Sequence, residues 1–385
     1  MANTKPLKIG FLLDTSLDPN DGVQQYVLAL GEWLTKEGHD VSYIVGETKT
    51  RKINNLYSLA KNITVSFNGN KTTIPLPTSK KKIRKFLNIH DFDVIHVQSP
   101  HSPFFSHKII KLLPLKTAVI GTFHILPYGS IAKTGNKLLG YSLRRSIRRI
   151  DKMLAVSDSA KEFCKTSFRV DSTVLPNVID YQRFADAAPL EKYNDKKLNI
   201  LFLGRLVKRK GCQSLIEAVS LLDEEAKMKI RLIICGKGEL YNKLRDLADR
   251  LNLSKITLFE GYVEESKKPS IYASADISVF PSISGESFGI VLLEAMASGK
   301  AAVLAGNNPG YTTVMNPNKN LLFNPNNTNE LAKKLELFIN NDQLRSETAK
   351  WGSEYTKNYD VNVVGHKLVD IYREEIAKKQ TLQDN

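Results

Sequence analysis

Long apolar runs are missing from this chain. No stretch approaches the ~18 residues that a membrane-spanning helix needs. Cysteine is scarce, with three in 385 residues. Cys164, Cys212 and Cys235 are widely spaced and odd in number. They make neither a disulfide framework nor a zinc motif, which places the chain in a reducing compartment. Acid is also short, with 40 Asp and Glu against 55 Lys and Arg and a formal net charge of +15. That balance draws polyanions (nucleic acid, anionic lipid or phosphorylated substrates) without choosing among them. No long repeat and no low-complexity tract is visible. What remains is an ordinary globular composition, 42% hydrophobic and 25% charged, long enough for two domains.

Short apolar runs alternate with helical patterns from the start. Ile9 to Leu13 is too short for a signal peptide and reads as part of a first β-strand. Strands are expected at Lys8–Leu13, Asp40–Val45, Val94–Gln98, Ala118–Phe123 and Lys152–Val156. A second series falls at Asn199–Gly204, Ile230–Gly236, Ile256–Glu260, Ile277–Phe280 and Ala301–Ala305. Helices are expected at Gln24–Glu37, Cys212–Leu222, Glu239–Leu251, Ser287–Ala297 and Glu330–Asn340. The alternation implies βαβ units and parallel sheets. The fold class is α/β: two Rossmann-like doubly wound domains, 1–185 and 186–360, with a cleft between them. Tyr181–Lys197 reads as the linker. The amphipathic segment Val363–Ala377, in a tail of 361–385, reads as a helix crossing back to the first domain.

Such domains bind ligands at the carboxyl ends of their strands. A dinucleotide site would want G-x-G-x-x-G after the first strand. The chain has Asp14-Thr-Ser-Leu-Asp-Pro-Asn-Asp-Gly22, with one glycine where three are needed, which argues against hydride chemistry.

The richest segment is Ser284-Gly-Glu-Ser-Phe-Gly-Ile-Val-Leu-Leu-Glu294. A helix starting near Ser287 offers free N–H groups to an anion. Glu286 and Glu294 are eight residues apart, roughly 12 Å if fully helical at ~1.5 Å per residue. Glycosidase carboxylates stand only ~5–9.5 Å apart. The pair therefore suits two grips on a long ligand, Glu286 on sugar hydroxyls and Glu294 on ribose hydroxyls. Two carboxylates alone read better as a helix cap and a surface ion pair. Gly204-Arg-Leu-Val-Lys-Arg-Lys-Gly211 follows a strand. Arg205 and Lys210 suit the growing charge of a departing diphosphate, with Lys208 and Arg209 left exposed. Gly121-Thr-Phe-His124 puts a histidine at a strand's end. A metal site from His96, His101, His107 and His124 is conceivable but lacks zinc-motif spacing. Asp91-Phe-Asp93 precedes its strand and reads as a turn. Lys80-Lys-Lys-Ile-Arg-Lys85 opens a basic helix beside Ile83, Phe86 and Leu87, and 131–152 is a second basic stretch with an apolar stripe. Either suits an anionic membrane surface or a solvated face. No nucleic-acid motif is present.

Taken together these residues resemble glycosyltransferase family 4, a retaining GT-B family, and in particular its bacterial phosphatidylinositol mannosyltransferase branch. Glu286…Glu294 is similar to the family's E-x7-E motif and Gly204–Gly211 to its diphosphate loop. Gly22-Val-Gln24, Gly121–His124, Ala155-Val-Ser-Asp158, Leu175-Pro-Asn177, Phe184-Ala-Asp186 and Gly261-Tyr-Val263 with Lys268 follow in family order. The resemblance implies a nucleotide-sugar donor, with GDP-mannose and mannose transfer favoured over UDP-glucose or another UDP-sugar. It implies no metal and no cofactor, and retention by front-face attack. His124, Glu286, Arg205 and Lys210 would serve catalysis. Gly22, Val263, Lys268, Glu294 and the run Ser287-Phe288-Gly289-Ile290 would join them around the donor. Asp18, Gln24 and His101 would meet an anionic lipid acceptor such as phosphatidylinositol, at the inner face of the cell membrane. Asp21, Asn177-Val178, His101 and Ile125-Leu126 depart from the branch, all on the acceptor side.

Overall fold

The computed structural model describes residues 5–18, 21–50, 52–67, 70–100, 102, 104–124 and 143–384. The chain divides into two compact units. Met1–Val178 with Val361–Asn385 makes the first, and Ile179–Asp360 the second.

The first unit holds a parallel seven-stranded sheet in the order β3-β2-β1-β6-β7-β8-β9. Its strands are β1 (Lys8–Leu12), β2 (Asp40–Val45), β3 (Leu56–Ser58), β6 (Val94–Gln98), β7 (Ala118–Phe123), β8 (Lys152–Ala155) and β9 (Thr173–Val174). Central strands are mostly apolar, because helices cover both faces of such a sheet. Residues of β1, β6 and β7 are accordingly buried along nearly their whole length. An antiparallel hairpin, β4 (Asn62–Phe67) and β5 (Asn70–Pro75), interrupts the series. This hairpin is not among the expected strands, although Asn68-Gly69 is a hairpin signal.

Helix α1 (Gly22–Lys36) lays Tyr26, Leu30 and Trp33 on the sheet. The last helix, Val361–Asp384, packs Val364, Leu368 and Tyr372 into the same core. The approach is close enough that a Cβ on Gly365 would stand 2.5 Å from the Trp33 ring. Trp33 Nε1 donates to Asn362 Oδ1 at 2.8 Å, and Lys379 pairs with Asp151 at 2.6 Å. Helices α2 (Lys80–Ile89) and α3 (Phe105–Leu112) cover the other face. Ser79 caps α2 by accepting from the Lys82 N–H.

The second unit has six parallel strands in the order β12-β11-β10-β13-β14-β15, the doubly wound 3-2-1-4-5-6 arrangement. These are β10 (Leu198–Leu203), β11 (Ile230–Cys235), β12 (Thr257–Gly261), β13 (Ile277–Phe280), β14 (Ala302–Gly306) and β15 (Leu322–Phe323). The expected linker Tyr181–Lys197 is instead folded into this unit. Tyr181–Ala185 is a helix whose Phe184 packs on Tyr272, and Glu191–Tyr193 is a 3-10 turn. The chain passes between units at 178/179, before residue 185, because the Tyr181 N–H is bound by the Asp360 carboxylate. All three cysteines are buried and free. No helix among the described residues is long and apolar enough to cross a membrane.

Candidate functional site

In the second unit, three loops meet at the carboxyl edge of the sheet. Residues after β10 run through a 3-10 turn at Lys208–Lys210 to Gly211. Gly211 has φ +70°, and a Cβ there would lie 2.0 Å from the Pro281 carbonyl oxygen. Only glycine allows the two loops to pass so closely. The Ile283 N–H donates to Arg209 O at 2.8 Å and fastens them.

That fastening delivers three donors to one carboxylate oxygen. Glu286 Oε1 receives Lys210 Nζ at 2.8 Å, Arg209 Nη1 at 2.9 Å and Ser282 Oγ at 2.7 Å. Burial pushes the Glu286 pKa up, but Lys210, Arg209 and Ser282 outweigh it and hold the group below its ordinary 4.5. Glu286 is therefore an anion tethered to cations and not a helix cap. Arg209, expected to be solvated, is turned inward by the 3-10 turn, while Lys208 is exposed. Lys210 is no exposed loop charge either, with 14% of its side chain accessible. Arg205 is half-buried on the same loop.

The helix expected from Ser287 begins at Ile290. Gly289, at φ +108°, breaks the helical path, and a Cβ there would meet Tyr311 at 2.7 Å. The helical spacing argument for the two glutamates therefore applies only from Ile290 onward. The N-cap of Ile290–Ala297 is Gly289, which has no side chain to cap it. Phe288 is buried against Tyr359 and leaves only its backbone to a ligand, while Ser287 and Ile290 are half-buried.

Glu294 is buried at 3% exposure, so it is not a surface grip. Tyr272 Oη donates to its Oε2 at 2.9 Å, and Lys268 Nζ stands 3.5 Å from Oε1. Burial raises the Glu294 pKa. Lys268 also pairs with Glu265 at 2.8 Å, and its pKa is raised because the two carboxylates outweigh burial. Val263 is half-buried beside them in sequence. The loop Gly236–Gly238 is stitched to the same edge: Gly236 N donates to Gly261 O, and Leu206 N to Lys237 O.

In the first unit the matching edge carries the remaining residues. Gly22 is the first residue of α1, with open space where its Cβ would be. The side chain of Asp21, at the N-cap of α1, does not cap it. Gln24 is buried; its amide nitrogen donates to Ser16 O at 3.0 Å, and its Oε1 has no partner among the described residues. Asp18 is committed to the neighbouring loop. Its carboxylate accepts from Lys49 N at 2.9 Å, Thr50 N at 2.8 Å and Thr50 Oγ1 at 2.7 Å, which hold its pKa far below the usual range despite partial burial. His124 is buried, with Nε2 2.7 Å from Gln98 Oε1 and its ring edge-on to Tyr26. Asp14, which the sequence reading passed over, accepts from Ser106 N and Oγ at the start of α3, and burial lifts its pKa to about 6. His101, Ile125 and Leu126 lie outside the described residues, as does 131–142 of the second basic stretch.

Among the described residues no three His, Cys, Asp or Glu side chains gather as a cation would require. Both nitrogens of His96 are taken by hydroxyls, Tyr372 Oη at 2.7 Å and Thr122 Oγ1 at 2.6 Å. Asp93 binds Lys8 N and Asp91 pairs with Lys116. On α2 every cation of Lys80–Lys85 is exposed, but Ile83, Phe86 and Leu87 are buried in the core.

Residues 20–183 match the family model described as Glycosyltransferase Family 4, and residues 185–355 that described as Glycosyl transferases group 1. The phosphatidyl-myo-inositol mannosyltransferase of Mycolicibacterium smegmatis is 30% identical over 372 residues, 95% of this chain and 93% of that protein. Among solved structures, the sucrose-phosphate synthase of Thermosynechococcus elongatus superposes with a TM-score of 0.74 at 18% identity, covering 96% of this chain and 100% of that one. HepE of Anabaena in complex with UDP-glucose gives 0.71 at 16%, covering 95% and 99%.

Proposed function

For this chain, which belongs to glycosyltransferase family 4 and its phosphatidylinositol mannosyltransferase branch and has the GT-B fold, we propose a retaining transfer of mannose from GDP-mannose to an anionic phospholipid. The observation that carries the reading is the cation-tethered Glu286 beside a helix start whose N-cap is a glycine.

A Lys ammonium has three donors. Lys210 spends one on Glu286, which leaves it able to reach a diphosphate oxygen as well. With Arg205 on the same loop and the N–H groups at Ile290, it meets charge that grows on the leaving group. Those three donors neutralise the diphosphate, so transfer proceeds without a metal. Glu286 is oriented through Oε1, and its role is to grip sugar hydroxyls through the rest of the carboxylate. Glu294, fixed by Tyr272 and Lys268, takes the ribose hydroxyls. The incoming hydroxyl attacks from the face the diphosphate leaves, which keeps the anomeric configuration.

Two features of the first unit support a polyol phosphate acceptor. The N–H groups opening α1 favour a phosphate, and Gly22 leaves room for it. A buried carbonyl oxygen without a partner costs ~1–3 kcal/mol. Among the described residues the Gln24 Oε1 is such an atom, and a polyol hydroxyl would satisfy it. The exposed cations of α2 then hold the chain on an anionic leaflet by charge, since its apolar residues are committed to the core. Initial rates across GDP-mannose, UDP-glucose and other donors, each with phosphatidylinositol or diacylglycerol, test the reading. The expected pair is GDP-mannose with phosphatidylinositol. Faster transfer from a UDP-sugar, or onto diacylglycerol, would overturn it.

A further inference from the structure

Gln98 ends β6, pairs in register with Thr122 of β7 and is 2% exposed. Its Oε1 stands 2.7 Å from His124 Nε2. Its amide nitrogen faces the His96 carbonyl oxygen at 3.5 Å. A carbonyl oxygen only accepts, so the nitrogen end of the amide belongs there and the oxygen end faces the imidazole. That oxygen also only accepts. His124 has to donate to it, so Nε2 carries a hydrogen, and in the neutral form of the ring Nδ1 has none.

The surroundings hold this arrangement. Ser99, the next residue, has φ 54°, a left-handed conformation rare outside glycine. Its N–H donates to Thr122 O at 2.9 Å, which locks the turn that ends β6. Backbone of this kind persists where its neighbours over-determine it, and it concentrates at functional sites. The Tyr26 ring stands edge-on to His124 at 4.9 Å. Behind it His96 is fixed by Tyr372 and Thr122, and burial, with His124 nearby, drives its pKa down to about 3. The second imidazole of the wall is therefore neutral at physiological pH.

We propose that Gln98 is a positioning residue, which selects the Nε2–H tautomer of His124 and fixes the plane of its ring. The inference deepens the transferase reading above and rests on the catalytic role that the family resemblance implies for His124. A ring free to change tautomer or plane would spend part of its time unable to meet the donor sugar correctly.

Nitrogen NMR of the full chain labelled at histidine reads the tautomer directly, with His124 identified by the signals lost in His124→Phe. The expected result near neutral pH is a hydrogen on Nε2. Gln98→Leu should mix the tautomers and lower kcat on the order of tenfold to a hundredfold, with donor Kd unchanged. Gln98→Glu retains an acceptor at the same place, so Nε2 still carries a hydrogen, and most of the rate should return. A hydrogen on Nδ1 of wild-type His124, or full kcat in folded Gln98→Leu, would overturn the proposal. If Gln98→Leu does not fold, the wild-type tautomer and the Gln98→Glu rate decide it. The spectrum is independent of turnover: an Nε2–H His124 in a chain that transfers no sugar would sink the transferase reading alone.

Discussion

Replacing Lys210 with methionine keeps the length of the side chain and removes its charge. Lys210 and Glu286 are 2.8 Å apart, with only 14% and 12% of their side chains accessible. Removing one partner of a fully buried pair costs ~3–5 kcal/mol, because the other charge is left uncompensated. Here Arg209 and Ser282 remain on the same oxygen and some solvent reaches the pair, so the loss should be about 2 kcal/mol. For a unit of this size that lowers Tm by about 4–8 °C. The effect has a pH signature. Glu286 is held below its ordinary 4.5, so the stability it contributes is present above that value and is lost as pH falls through its folded pKa. Without Lys210 the burial that raises its pKa meets less opposition. The gap between wild type and Lys210→Met should be widest above pH 4.5 and close toward acid. Urea unfolding across pH measures it, with Glu286→Gln as the second arm of a double-mutant cycle. Glu286→Gln should cost much less in the Lys210→Met background than in wild type. Additivity within about 0.5 kcal/mol, or an unchanged midpoint, would show that the pair is not coupled and refute the reasoning.

Lys210→Met should also reduce turnover by ~10²–10³, as loss of an oriented donor to developing charge does, against near wild-type rates if the diphosphate lies elsewhere. Glu294→Gln should weaken binding of bare nucleoside diphosphate in calorimetry, whereas Glu286→Gln should mainly slow sugar transfer; equal loss of nucleotide binding in both would contradict that division. Serine at Lys80, Lys81, Lys82, Arg84 and Lys85 should remove about 1 kcal/mol of anionic-vesicle binding per residue, and vesicle flotation unchanged from wild type would exclude α2 as the attachment. Gln24→Ala should raise the acceptor KM with donor Kd unchanged, and an unaltered acceptor KM would remove Gln24 from that site.

The doubly wound sheets were legible because buried parallel strands are short apolar runs, and Asp40–Val45, Val94–Gln98, Ala118–Phe123 and Ile277–Phe280 begin and end where the runs do. Edges were less legible. Strands β3, β9 and β15 have two or three residues each, too few to show a period. The helix from Ile290 was placed three residues early because Ser287 and Phe288 are compatible with a helix and only the backbone angle at Gly289 stops it. Site residues that stand in motifs, such as Glu286, Glu294 and Lys210, could be picked out; the partners that set their chemistry could not. Tyr272 and Gln98 come from another helix and another strand, and no spacing links them to the groups they hold; Ser282 is four residues before Glu286, but in a loop, where no helical period marks the pair. In the run Lys208-Arg209-Lys210, charge alone does not say which side chain turns inward. The 3-10 turn and Gly211 decide that.

The most direct test of the central claim is the product formed from GDP-mannose and phosphatidylinositol vesicles, read by NMR at the anomeric carbon of the purified lipid. A retaining transferase of this kind gives α-linked mannose on the inositol head group. A β-linked product, or lipid recovered without sugar while the wild-type chain is folded and binds donor, would contradict the account.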